Sequence, residues 1–223
     1  MYKNPYIKIK PVTRRPYTEI FLIRHCHPDY AQEKKIGEQN MPLSKTGLEQ
    51  RKFLTKKLLT MKFDNIYSSE IKRARETAAI YAKKKKKELI LDNRLNEIDW
   101  THWVRIKYFH MSEKTREKKL IHHRQLDAQL DKMQVTARRA LDDIYKQNMG
   151  KRVALFSHGN FIKALVTSIM NADVIGFLSL EIFQSSITKL VIDRNGYVKI
   201  SHINDVGHLP SPPDEDMFLT LID

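Results

Sequence analysis

Cys26 is the only cysteine in 223 residues. A lone thiol closes no internal disulfide, so a stapled secreted scaffold is excluded and a reducing compartment is expected. No apolar run approaches the roughly 20 residues that cross a bilayer. Stretches such as Ile20–Ile23 and Val153–Phe156 are far shorter. The basic N-terminal stretch carries no apolar core of the secretory type, so a cytoplasmic location is the expectation. Repeats of fixed period and Gly/Ser linkers are also missing, which excludes solenoids and strings of linked modules. Acidic residues are in deficit: 26 Asp and Glu face 40 Lys and Arg, for a net charge of +14. Such a chain attracts anions, whether nucleic acid, anionic lipid or small phosphorylated molecules. The alternative is a solvated lysine surface, which the run Lys83 to Lys87 favours. No nucleic-acid-binding module is recognisable.

Hydrophobic residues still make up 41% of the chain, too many for a disordered one. The length suits one ordinary domain with a sizeable core, and residues 1–223 are read as a single domain. Residues 1–17 form an irregular lead-in. Glu19–Arg24 reads as a buried strand, residues 44–60 as a helix with Ser44 as N-cap, and Phe63–Tyr67 as a second strand. A second helix is expected over 71–83 and a short strand over 89–91. Residues 101–148, without proline and with glycine only beyond them, read as a helical insertion or cap with ragged apolar spacing. Arg152–Phe156 is another buried strand and Phe161–Met170 the helix after it. Two late strands, 182–193 and 197–203, flank Asn195-Gly196, the pair favoured in tight hairpins, and so are expected antiparallel. Strands alternating with helices imply an α/β domain with a largely parallel sheet. In such sheets ligands bind beyond the carboxyl ends of the strands.

Two histidines share that address. The first strand ends in Arg24-His25-Cys26-His27-Pro28, and the strand over 152–156 ends in Ser157-His158-Gly159. Between them, Ser68-Ser69-Glu70-Ile71-Lys72-Arg73 turns a strand into a helix, whose free backbone N–H groups suit an anion. Arg73, one turn in, carries a guanidinium fork matched to phosphate.

These stretches resemble the histidine phosphatase (phosphoglycerate mutase-like) superfamily. Its Arg-His-Gly opening matches Arg24-His25, with Cys26 in the glycine's place. Its Leu-Ser-x-x-Gly-x-x-Gln element matches Leu43 to Gln50. Its Ser-Ser-x-x-x-Arg-Ala-x-x-Thr element matches Ser68 to Thr77. Leu95-Asn96-Glu97-Ile98, Ser157-His158-Gly159 and the closing Asn204 and His208-Leu209 follow in the family's order. The resemblance implies a three-layer α/β sandwich: a mostly parallel central sheet, helices on both faces and a helical cap. It implies His25 as a nucleophile that becomes phosphohistidine, Arg24, Arg73 and His158 as phosphoryl ligands, and Glu97 as proton donor, with Asp99 as fallback. It implies no metal or other cofactor, and a small phosphorylated substrate as partner. A homodimer is compatible with the chain.

The departures bear on which reaction runs. His27-Pro28-Asp29 replaces the residues that follow the opening motif in the mutases, which favours hydrolysis over mutase-type transfer. Asp99-Trp100-Thr101-His102-Trp103 lacks the family's glycines, making Trp100, His102 and Trp103 either pocket residues or core. Lys163 is a candidate for the pocket rim, Arg75 for solvent and His208 for packing. A rival reading takes His25, His27 and Asp29 as a His-x-His-x-Asp metal motif of a hydrolase. His122-His123 reads as a solvated helical pair.

Overall fold

Ile20, Phe21, Leu22 and Ile23 form the middle of β1 (Thr18–Arg24) and are all buried. Their side chains alternate between two cores, Ile20 and Leu22 into one, Phe21 and Ile23 into the other. A strand covered on both faces reads as a continuous apolar run, because neither set of side chains meets water. β4 (Arg152–Ser157) repeats the pattern, with Val153 and Leu155 opposite Ala154 and Phe156. Each such side chain contributes roughly 1.5–3 kcal/mol by leaving water, so these two strands anchor the domain. The computed structural model describes residues 16–100, 107–114 and 124–210.

One six-stranded sheet runs through the described residues, in the order β3-β2-β4-β1-β5-β6. The other strands are β2 (Asn65–Ser68), β3 (Ile90–Leu91), β5 (Ile187–Ile192) and β6 (Val198–Asp205). β3, β2, β4 and β1 are mutually parallel; β5 and β6 are antiparallel. Helices α1 (Lys45–Leu59) and α2 (Lys72–Lys85) cover the face bearing Phe21, burying Leu54, Leu58, Ala78 and Tyr81. Helices α3 (Arg124–Gln147), α4 (Gly159–Ile169) and α5 (Val174–Ser179) cover the other face. This is the expected three-layer sandwich.

Half of the expected cap segment is one of those layers. Leu126, Leu130, Met133, Ala137, Ala140 and Ile144 of α3 are buried against the sheet. Their spacing alternates between four and three, the signature of one helical face, so the pattern is regular rather than ragged. His102, Trp103, His122 and His123 lie outside the described residues.

Two late-strand expectations change. β5 starts at Ile187, because the chain breaks strand geometry before it. Ser185 takes φ +69° and a turn bond joins Ser186 N to Phe183 O. The hairpin is antiparallel as expected, but its turn is wider than a two-residue Asn-Gly loop. The Asp193 carboxylate accepts from Asn195 N and Tyr197 N, and only Gly196 has positive φ, at +86°. A two-residue type I′ turn needs positive φ at both central positions.

Candidate active site at the strand ends

Parallel register brings the two histidines together. Arg24 pairs with Ser157 as β1 and β4 end, and His25 N donates to Ser157 O at 3.0 Å. The rings of His25 and His158 then lie 5.0 Å apart between centroids. Both are buried. On the far side of β4, Ser69 N donates to Phe156 O, so the turn into α2 opens at the same level.

His25 Nδ1 lies 2.8 Å from the carbonyl oxygen of Cys26. A carbonyl only accepts, so Nδ1 carries the proton and Nε2 keeps a bare lone pair. Arg73 Nε donates to that Nε2 at 3.1 Å. Burial first, then the charges of His158, Arg73 and Arg24, hold His25 well below the ordinary histidine range. The ring is therefore neutral at pH 7.

His158 is held from the opposite side. Asn96 Oδ1 accepts from Glu70 N and from Ser69 Oγ. Ser69 Oγ has thus spent its proton and accepts from His158 Nε2 at 2.8 Å. His158 Nδ1 is left buried without a hydrogen-bond partner. Burial, Arg73 and Arg24 push this histidine down as well. Arg24 lies along the α4 start, where a Cβ at Gly159 would sit 3.2 Å from its guanidinium carbon. Its Nη1 donates to Ile182 O, Glu181 Oε1 is 3.8 Å away, and its Nε is buried and unpartnered. Glu97 turns Oε1 into the same helix start, accepting from Ile98 N, Asn160 N and Phe161 N at 3.1–3.2 Å. Oε2 is the oxygen left to carry a proton. Burial pushes Glu97 above the ordinary carboxyl range, against the opposing pull of Arg24 and Arg73. All five residues singled out from the sequence converge on one site.

The remaining motif residues brace the loop that follows His25. Thr77 Oγ1 accepts from Cys26 N at 3.0 Å and donates to Arg73 O at 2.7 Å, tying the loop after His25 to the helix that carries Arg73. Ser44 caps α1 through Gly47 N. Gln50 Oε1 accepts from His27 N, and Ser44 N donates to His27 O. Gly47 packs so closely there that a Cβ would lie 2.0 Å from His27 O. Gly47→Ala is accordingly expected to destabilise the fold by about 3 kcal/mol, the upper range of overpacking. A wild-type melting temperature in that variant would contradict the close approach.

His27 Nδ1 bonds Ser44 Oγ at 2.9 Å, and the Asp29 carboxylate accepts from Gln32, so both point into the loop. Among the described residues no cluster of three or more His, Cys, Asp and Glu could hold a metal ion. The Cys26 thiol is fully buried and burial pushes it up to about 12, so it is inert at neutral pH. Trp100 is core, tilted against Phe177 at 4.9 Å. Asp99 and Arg75 are exposed. Lys163 sits over the Phe177 ring at 4.7 Å, beside Glu181, Arg24 and Glu97. His208 bonds Ser185 Oγ at 2.8 Å, and Ser185 N donates to His25 O. It supports the site from behind rather than facing it. Sequence reasoning missed the Cys26 carbonyl, the Ser69–Asn96 pair and Glu38, which grips Arg73. Ser69 and Asn96 stand inside the family-matching motifs, which are their only signal in the sequence.

The family model of the histidine phosphatase superfamily (branch 1) matches residues 20–206. The chain belongs to this superfamily. Membership makes it an enzyme of phosphate-ester chemistry. The chain is similar to a probable phosphoglycerate mutase, GpmB, of Photorhabdus laumondii, with 24% identity over 214 residues, 89% of this chain and 98% of that one. Phosphoglycerate mutase-like protein 4 of Arabidopsis thaliana is 29% identical over 216 residues, 87% of this chain and 91% of its own. Among solved structures, a phosphoserine phosphatase variant from Entamoeba histolytica in complex with phosphoserine aligns with TM-score 0.68 and 24% identity. That alignment covers 86% of this chain and 99% of the other, and shows that the two share a fold. Among the described residues no helix is long and apolar enough to cross a membrane.

Proposed function

We propose that the protein hydrolyses small phosphomonoesters through a phosphohistidine on His25. The observation that carries this reading is the Nδ1–H···O=C bond to Cys26, which bares Nε2 in a neutral ring. Nε2 attacks phosphorus as the ester oxygen leaves. Glu97 gives the leaving oxygen its proton, then takes one from the water that attacks the phosphohistidine and releases orthophosphate. Phosphoryl transfer depends chiefly on positioning and charge neutralisation. The buried, unpartnered Arg24 Nε and His158 Nδ1 suit phosphoryl oxygens, joined by Arg73 once it leaves His25 Nε2. His158 donates from Nδ1 only after gaining a proton, which an arriving dianion favours.

Relatives with mutase names make transfer to a second hydroxyl the alternative. His27, committed to Ser44 and Gln50, favours water as acceptor. The metal reading is less supported, since His27 and Asp29 are engaged away from His25. The test is a metal-free assay with p-nitrophenyl phosphate. Turnover should be indifferent to chelators, and protein quenched in alkali mid-turnover should carry one phosphoryl group on His25. Chelator-sensitive turnover without that adduct rules the reading out. With phosphoglycerate, released orthophosphate distinguishes hydrolysis from isomer formation.

A further inference from the structure

Arg73 arrives at the site with each of its three guanidinium nitrogens engaged. Its Nε donates to His25 Nε2 at 3.1 Å, Nη1 to Glu38 O at 2.9 Å and Nη2 to Glu38 Oε1 at 2.8 Å. The Arg73 side chain is 4% exposed, whereas that of Glu38 is 55% exposed. A surface carboxylate thus reaches inward onto a guanidinium that bonds His25 Nε2. The phosphoryl group needs the same donors, so Glu38 stands as its rival.

The segment bearing Glu38 is built to let go. Residues 33–40 are almost all exposed, while the Pro28–Leu43 bridge and buried Met41 hold the ends. Gly37, immediately before Glu38, has φ +77°, and a Cβ there would meet nothing within 4 Å. Glycine adopts this geometry without strain and rotates out of it as readily. Arg24 has no comparable carboxylate clamp: its Nη1 donates to Ile182 O and Glu181 stands at 3.8 Å.

We propose that Glu38 is a tethered competitor for the phosphoryl site, a gate that dianionic phosphomonoesters open and singly charged anions do not. The gate rests on the phosphoryl-transfer reading above. A carboxylate tethered by a short loop acts at an effective concentration in the millimolar range. Its charge-assisted bonds to Arg73 resemble those a phosphoryl oxygen makes. A dianion, attracted also by Arg24 and His158, displaces it. A free carboxylate or other monoanion brings nothing that Glu38 does not already supply. The opposite role, a brace that aims Arg73 at substrate, predicts the opposite sign.

The experiment compares wild type with Glu38→Gln and Glu38→Ala, by orthophosphate calorimetry and p-nitrophenyl phosphate kinetics. Both variants should bind orthophosphate about tenfold more tightly, with the gain in KM rather than kcat. Acetate should inhibit Glu38→Ala competitively at concentrations that leave wild type unaffected, because the vacated fork accepts a free carboxylate. Unchanged or weaker orthophosphate binding, with acetate ineffective in every form, overturns the gate while wild-type turnover keeps the hydrolase reading. Failure of all forms to bind orthophosphate or turn over the ester overturns both.

Discussion

His25→Ala is expected to lower kcat/KM for p-nitrophenyl phosphate by on the order of 10⁴-fold or more, the scale of losing a covalent nucleophile. Nothing else in the proposed mechanism replaces it. His158 is anchored through Nε2 on Ser69, and its open Nδ1 is assigned to a phosphoryl oxygen rather than to phosphorus. The Cys26 thiol is buried and pushed up to about 12. His27 faces Ser44. The phosphoryl adduct should vanish with the activity, while orthophosphate binding survives, since Arg24, Arg73 and His158 remain. Removing the ring also frees Arg73 Nε for the anion. Equal turnover by variant and wild type would falsify the assignment. Loss of orthophosphate binding alongside activity would show instead that the substitution collapsed the site.

The second large effect is Glu97→Gln. Glu97 must be protonated to serve the leaving oxygen, and burial raises it, so its proton persists above the ordinary carboxyl range. His25 must be neutral to attack, and it is held well below the ordinary histidine range. On the proposed mechanism the alkaline limb of kcat/KM is therefore expected from Glu97 and the acid limb from His25. Glu97→Gln should slow alkyl phosphates by about 10²–10⁴-fold, the range for a general acid, and aryl phosphates far less. The alkaline limb should disappear for alkyl substrates, because an amide does not titrate. A uniform loss across leaving groups, or a persisting limb, assigns the proton to another group. Stability moves the other way. A carboxyl raised in the folded state contributes stability below its unfolded value, and that contribution is lost as pH rises through the folded value. At pH 7 the amide variant should melt higher than wild type; a lower melting temperature would contradict the burial of this carboxyl.

Much of the site was legible because its chemistry is carried by residues at strand ends, and strand ends are visible as the close of an apolar run. His25 and His158 directly follow β1 and β4, which end in Arg24 and Ser157, and parallel register does the rest. What stayed hidden is of two kinds. The tautomer of His25 is set by a main-chain carbonyl, which every residue owns and no sequence advertises. Glu38 lies in an exposed, charged stretch that reads as solvent-facing, and only the chain's return toward α2 sets it on Arg73. Gly47 shows the middle case. It stood in a recognised motif, but its reason is that a Cβ would sit 2.0 Å from His27 O, an approach that exists only after the loop has folded back.

Local chemistry, then, was settled by the amino-acid order: buried strands with apolar side chains on both faces, a serine-capped helix, and phosphate-seeking side chains where strands stop. Those depend on periodicity and side-chain type, which are properties of short segments. Tertiary structure decided that Arg73 meets His25 Nε2, that Ser69 meets His158 Nε2, and which carboxylate occupies Arg73. Each of these is a contact between segments far apart in the chain, and its energy depends on where packing puts the groups rather than on what the groups are.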